Sequence, residues 1–346
     1  MGLGQRRGRG ARALNTVKNT MPPPDESTDE AVAPVMGTLL QRIARAGAPP
    51  LWTLGVDAAR AFHRAAGGVL ELAPPPLHEV VDLDCPARDG SRLAVRRYRA
   101  RPLDAHAQAP ALLYLHGGGF VLGDLDSHDV LCRRLALLGD CTVFALDYRL
   151  APEHRFPTAV DDTWDALQWL REHAEWLGVD AQRIALGGDS AGGTLAAVAA
   201  LQARDAGFAP ALQLLFYPGT AGWAHTVSAQ RYAHGYLLER EHLDWFFGHY
   251  LGALEAASDW RFAPLLAPDL RGVAPAWIGL AGCDPLRDEG RLYAQRLRDA
   301  GVAVQLDEWP GVTHDFIRMG RALPQTGSAV AAAAAALRAA WLAPGP

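Results

Sequence analysis

Six short runs of strand-forming residues, spaced by stretches of helical period, constrain this chain more than any other feature. They are Ala111–Leu115, Thr142–Leu146, Ile184–Leu186, Leu212–Tyr217, Ala276–Leu280 and Val302–Asp307. Helical stretches lie near Asp129–Leu138, Ala159–His173, Ala191–Asp205 and Leu286–Ala300, with a final helix over Ala329–Leu342. Several of the runs are apolar throughout rather than alternating, the pattern of strands buried on both faces. Strand–helix alternation of this kind predicts an α/β fold: a mostly parallel central sheet flanked by helices on both sides.

Upstream, Val80–Leu83 and Leu93–Tyr98 flank Asp89-Gly90, which reads as an antiparallel hairpin. Ala31–Leu72 carries apolar residues at helical spacing, such as Leu39, Leu40 and Ile43, and is interrupted at Ala48–Pro50 and closed by Pro74–Pro76. Two amphipathic helices outside the main sheet are expected there. Arg6, Arg7, Arg9 and Arg12 resemble the charged start of a signal peptide, but no apolar stretch follows them. Residues 1–30 therefore read as a mobile extension, with Met21 as an alternative start. Pro218–Arg261 breaks the alternation and is rich in aromatics, among them Trp223, Tyr232, Trp245, Phe246, Phe247 and Trp260. It reads as a helical insertion over the carboxyl edge of the sheet. The expected organisation is thus an extension (1–30), N-terminal helices contributing to a cap (31–76), and a main α/β domain (77–346) carrying a cap insertion at about 218–261.

Composition excludes several classes. A net charge of −5 offers no basic field for nucleic acid. No apolar run approaches the ~18 residues of a spanning helix, so stable membrane insertion is not expected. Cys85, Cys132, Cys141 and Cys283 lack metal-ligand spacing, and four cysteines in 346 residues make no disulfide scaffold. They read as reduced thiols in a cytoplasmic protein.

The chemistry concentrates at Gly188-Asp189-Ser190-Ala191-Gly192, a G-x-S-x-G match. With seven serines and 35 glycines, chance supplies about 0.07 such matches. A strand precedes it and an Ala-rich helix follows, the context that a nucleophile elbow requires. Small neighbours let the chain bend sharply, and the helix start offers the Ala191 N–H to a developing oxyanion. The alternative is a Gly-rich turn with an idle serine. His116-Gly117-Gly118-Gly119 follows another strand and leaves backbone N–H groups open to a substrate oxygen. A dinucleotide loop is the alternative, but Leu122 occupies the last glycine position of that fingerprint.

In hydrolases built on a strand–turn–helix elbow the chain order is Ser, then Asp or Glu, then His. His225, His234, His242 and His249 fall in the aromatic insertion with no strand before them. His314 follows the strand Val302–Asp307 and a turn at Pro310-Gly311, which puts it where a site belongs. Asp284 follows Ala276–Gly282 and precedes the stiffening Pro285, with Asp288 and Glu289 as runners-up. Asp284 also suits a helix cap, alone or in addition.

Taken together, these residues resemble the hormone-sensitive lipase family of carboxylesterases, which have the α/β-hydrolase fold. The resemblance spans about Leu77 to Met319. It rests on His116–Phe120, the run Asp147-Tyr148-Arg149-Leu150-Ala151-Pro152-Glu153-His154, Gly188–Gly193, the run Asp284-Pro285-Leu286-Arg287-Asp288-Glu289-Gly290, and His314. It implies a Ser190–Asp284–His314 triad, oxyanion donors at the N–H groups of Gly118, Gly119 and Ala191, and a turn-shaping role for Gly117. It implies hydrolysis of short-to-medium acyl esters through an acyl-enzyme, on a small-molecule ester substrate, with no metal or organic cofactor. A homodimer is left open. Where relatives often carry Gly after the histidine, this chain has Asp315, which either raises the imidazole pKa or faces solvent. Related activities (amidase, lactonase, deacetylase) and a non-catalytic binder on the same fold share these features.

Overall fold

The structure is a computed structural model that describes residues 31–104 and 107–343; the extension expected at 1–30 lies outside them. Eight strands form one sheet: β1 (Glu79–Pro86), β2 (Arg92–Arg99), β3 (Ala109–Leu115), β4 (Thr142–Leu146), β5 (Val179–Asp189), β6 (Gln213–Phe216), β7 (Ala276–Cys283) and β8 (Val304–Thr313). Their spatial order is β1-β2-β4-β3-β5-β6-β7-β8. Only β2 runs against its neighbours, pairing antiparallel with both β1 and β4.

The apolar runs explain the layering. In β3, Leu113 and Leu115 face one core together with Leu167 and Leu170 of α4 (Thr158–Glu172) and Leu195 of α6 (Ala191–Asp205). Leu112 and Tyr114 face the other, with Leu131 and Leu135 of α3 (Asp129–Gly139) and Val330 and Leu337 of α10 (Pro324–Leu342). This is the period-2 alternation of a strand, with both faces buried instead of one. Each fully buried leucine contributes about 1.5–3 kcal/mol. The remaining helices are α1 (Pro34–Ala46), α2 (Val56–Ala66), α5 (Ala174–Leu177), α7 (Val227–Arg231), α8 (Arg240–Leu251) and α9 (Arg287–Asp299).

The chain end of β8 corrects one expectation. Pro310-Gly311 is not a turn after the strand but a bulge within it. The pairing runs from Ala281 opposite Trp309 to Cys283 opposite Thr313, and Gly311 takes φ +72°. The extra residues on β8 carry the strand up to His314 and leave the Gly311 carbonyl free to accept the Ala33 N–H at 2.9 Å. Among the described residues no helix is long and apolar enough to cross a membrane.

Candidate active site

β5 ends at Asp189 and α6 starts at Ala191, so Ser190 is the whole turn. Its φ of +54° and ψ of −120° are unfavourable for a residue with a side chain. The flanking glycines permit this bend. A Cβ on Gly188 would run into the Gly192 backbone, and one on Gly192 into the Leu115 carbonyl. The elbow is therefore wedged tightly against the end of β3.

The other two residues arrive from strand ends two and three places along the sheet from β5. His314 follows β8 and Asp284 follows β7. His314 Nε2 lies 2.9 Å from Ser190 Oγ, and His314 Nδ1 lies 2.7 Å from Asp284 Oδ2. The Asp284 carboxylate can only accept, so Nδ1 carries the proton and Nε2 is free to accept from Ser190. Asp284 is fully buried, and its Oδ1 accepts the Leu286 N–H at 2.9 Å. It thus caps the turn into α9 and holds the imidazole at once. Burial disfavours the charged imidazolium of His314, but the charge and hydrogen bond of Asp284, with smaller help from Asp315 and Asp189, outweigh it. The imidazole pKa is raised above its ordinary value. Tyr217, at the end of β6, lays its ring 4.4 Å from the His314 ring.

The glycine loop after β3 is held from several sides. His116 Nδ1 donates to the Gly117 carbonyl at 2.8 Å, and the His116 ring stacks on Tyr148, whose hydroxyl donates to the His116 carbonyl. Burial, with the nearby His128, pushes the His116 pKa down to about 4, so this imidazole is neutral at ordinary pH. The Gly117 N–H donates to Asp189 Oδ1 at 3.1 Å and is spent on that bond. Gly118 and Gly119 take φ of +117° and +62°. The Ala191 N–H, first in its helix, has no partner four residues back.

Asp189 is a residue that the motif reading passed over as an unspecified position. It accepts from Tyr114 Oη at 2.8 Å as well as from Gly117, and His128 Nε2 lies 3.3 Å from it. Burial alone would raise its pKa, but the charge and hydrogen bond of His128 and the Tyr114 hydroxyl pull it down to about 2. A permanent carboxylate beside the nucleophile therefore ties the elbow to the glycine loop. The only sequence signal for this was the choice of Asp inside G-x-S-x-G.

An apolar pocket opens against Ser190. Gly119, Ala191, Thr194 and Gly219 line its base, while Leu243, Phe246 and Phe247 of the 218–261 segment, with Phe262, line its walls. Phe246 lies so close to Gly119 that a Cβ there would enter its ring. His242 stacks toward Phe246 and meets Trp52 edge-on at 4.6 Å.

The runner-up acids stand elsewhere. Asp288 accepts the Ser228 N–H at 2.8 Å, and Glu289 Oε1 accepts the N–H groups of Thr220 and Ala221 at 2.5 and 3.2 Å. Both fasten the first part of the inserted segment. Burial raises the Glu289 pKa to about 8 despite those two donors. Asp315 does both things anticipated for it: it is partly exposed, and its charge raises the His314 pKa. It also lies 3.4 Å from Arg318, whose Nε donates to Glu71 at 2.8 Å.

Residues 112–318 match a family described as having the alpha/beta hydrolase fold. The chain is 48% identical over 274 residues to an ethyl acetate hydrolase of Pseudomonas putida, covering 78% of this chain and 86% of the relative. It is 44% identical over 273 residues to a carboxylic ester hydrolase of Mycobacterium tuberculosis, covering 76% and 71%. Among solved structures, an ester hydrolase from the metagenome of Lake Arreo is 42% identical with a TM-score of 0.85, covering 90% of this chain and 99% of that one. The esterase of Pyrobaculum calidifontis is 37% identical with a TM-score of 0.83, covering 90% and 100%. The fold and the family match define an α/β hydrolase. Within that class the chain belongs to the carboxylesterases of the hormone-sensitive lipase type.

Proposed function

We propose that the protein is a serine carboxylesterase that hydrolyses short-to-medium acyl esters through an acyl-enzyme. The observation that carries this reading is the unbroken chain from Ser190 Oγ through His314 to Asp284, at 2.9 and 2.7 Å. Ser190 attacks the ester carbonyl as His314 Nε2 takes its proton. Asp284 keeps the imidazole in the accepting tautomer and stabilises the imidazolium. The N–H groups of Gly118, Gly119 and Ala191 receive the oxyanion, each worth about 3 kcal/mol. His314 then protonates the leaving alcohol, and water repeats the sequence on the acyl-enzyme. Residues 31–76 and 218–261 act as the cap over this centre. The apolar lining of the pocket and the similarity to an ethyl acetate hydrolase of Pseudomonas putida support a short acyl group.

The test is covalent and kinetic. An organophosphate should label Ser190 alone and abolish turnover of p-nitrophenyl butyrate. Folded Ser190→Ala should retain no more than a trace of activity. A labelled peptide elsewhere, or an active alanine variant, sinks the assignment.

A further inference from the structure

The N-terminal helix α2 reaches the glycine loop through one side chain. Arg60 Nε donates to the Val121 carbonyl at 2.9 Å. Its Nη2 donates to the Ala151 carbonyl at 2.9 Å and to Glu153 Oε2 at 2.8 Å, and its Nη1 donates to Glu153 Oε1 at 2.8 Å. A planar guanidinium can hold a carboxylate with two parallel bonds and still serve two carbonyls; an ammonium cannot.

The two carbonyls it holds are significant. Phe120, directly after Gly119, takes φ +65°, a conformation unfavourable for a residue with a side chain. Such a residue persists only where its surroundings hold it. The Phe120 carbonyl accepts the Ala151 N–H at 2.9 Å. Arg60 therefore grips the residue that follows Phe120 and the residue that holds Phe120. Two other loop carbonyls are satisfied inside the main fold: Gly117 by His116, and Gly118 by the N–H groups of Val121 and Leu122. With the carbonyls of Gly117, Gly118, Phe120 and Val121 tied back in this way, the loop can present the N–H groups of Gly118 and Gly119 to the pocket.

We propose that Arg60 is a positioning residue for the oxyanion loop, so that a helix outside the central sheet sets the placement of the Gly118 and Gly119 donors. This rests on the reading above that these two N–H groups receive the oxyanion. A misplacement of donors weakens binding of the tetrahedral state more than that of the planar ester.

The experiment compares wild type, Arg60→Ala, Arg60→Lys and Glu153→Gln in the full-length enzyme. It reads kcat and KM for p-nitrophenyl butyrate, the fraction of sites titrated by paraoxon at completion, and the affinity of a trifluoromethyl ketone. Arg60→Ala should lower kcat about 10- to 100-fold, with KM changed less than about twofold. Ketone affinity should fall by a similar factor, with the titratable fraction unchanged. Arg60→Lys should fall between Arg60→Ala and wild type. A folded Arg60→Ala with wild-type kcat overturns the proposal, as does a loss of kcat that only matches a loss of titratable sites. Should Arg60→Ala fail to fold, Glu153→Gln decides. Glu153 is half-exposed, and losing its charge should lower kcat about threefold at constant KM; an unchanged kcat overturns the proposal. A wild-type enzyme that paraoxon does not label at Ser190 instead removes the serine reading on which this inference stands.

Discussion

Ser190, His314 and Asp284 come from three separate strand ends, yet each is held by its own local device. Ser190 is set by a strained turn between two glycines that admit no Cβ, Asp284 by the Leu286 N–H, and His314 by the bulged end of β8. Asp315 adds a charge effect at this scale. In the proposed mechanism His314 must be neutral to accept the Ser190 proton, and Asp315 helps to raise its pKa. The acid limb of kcat/KM therefore lies at a higher pH than it would without that carboxylate. In Asp315→Asn the limb should move to lower pH, by a few tenths to about one pH unit given the partial exposure of this side chain. Loss of a charge partner for Arg318 acts in the same direction. A pH profile of kcat/KM measures it, and a limb that stays put or moves upward contradicts the assignment. The serine and histidine were legible in the sequence because motif, strand context and chain order converge on them. Asp189 and Tyr217 were not, since their roles depend on contacts with Gly117 and His314 that no local pattern announces.

At the scale of elements, the start of α9 anchors the segment inserted between β6 and β7. Carboxyl oxygens of Asp288 and Glu289 accept from the backbone N–H groups of Ser228, Thr220 and Ala221. Glu289 Oε2 has no hydrogen-bond partner among the described residues, and burial raises the carboxyl pKa to about 8. Between the ordinary value of 4.5 and about 8, the folded protein holds a proton that the unfolded chain has released. Stability contributed by this group therefore falls as pH rises through that window. Glu289→Gln keeps an oxygen for Thr220 and Ala221 but cannot ionise. Its Tm relative to wild type should climb between pH 5 and pH 9. A difference in Tm that is constant across this range refutes a protonated Glu289. The strands and most helices were readable from apolar runs and period, but the end of β8 was misjudged. Pro-Gly signals a turn in an isolated sequence, whereas pairing with β7 absorbs it as a bulge.

At the scale of the whole molecule, the inserted segment supplies apolar walls to the pocket beside Ser190. Phe246, Phe247 and Phe262 form walls near Ser190, while Arg231, Glu239, Arg240, Glu241 and Asp244 of the same inserted segment carry charge. A surface so interrupted by charge is poorly suited to lie on oil. Across p-nitrophenyl esters, activity should rise with acyl length, gaining at most ~0.8 kcal/mol for each buried methylene, and then drop sharply once the pocket is full. The best substrates should lie between acetyl and hexanoyl. A flat profile through C12–C16, or activation by emulsified triolein above its solubility limit, points to a lipase.

By itself the sequence determined the layered α/β architecture and the three positions of the candidate triad. Both rest on patterns written in consecutive residues: burial on both strand faces, small residues around a sharp turn, and the order of motifs along the chain. Tertiary structure alone decided what surrounds them. Arg60 meets the Val121 and Ala151 carbonyls across separations of 61 and 91 residues, and Glu71 meets Arg318 across 247. A salt bridge or a pocket wall at such separations depends on where the folded elements come to rest, because a charged side chain carries no local mark of its eventual partner. The N-terminal helices therefore read in sequence only as amphipathic segments. In the folded protein α2 places Arg60 against the glycine loop, and the stretch after it places Glu71 against Arg318, whose neighbour Asp315 follows His314.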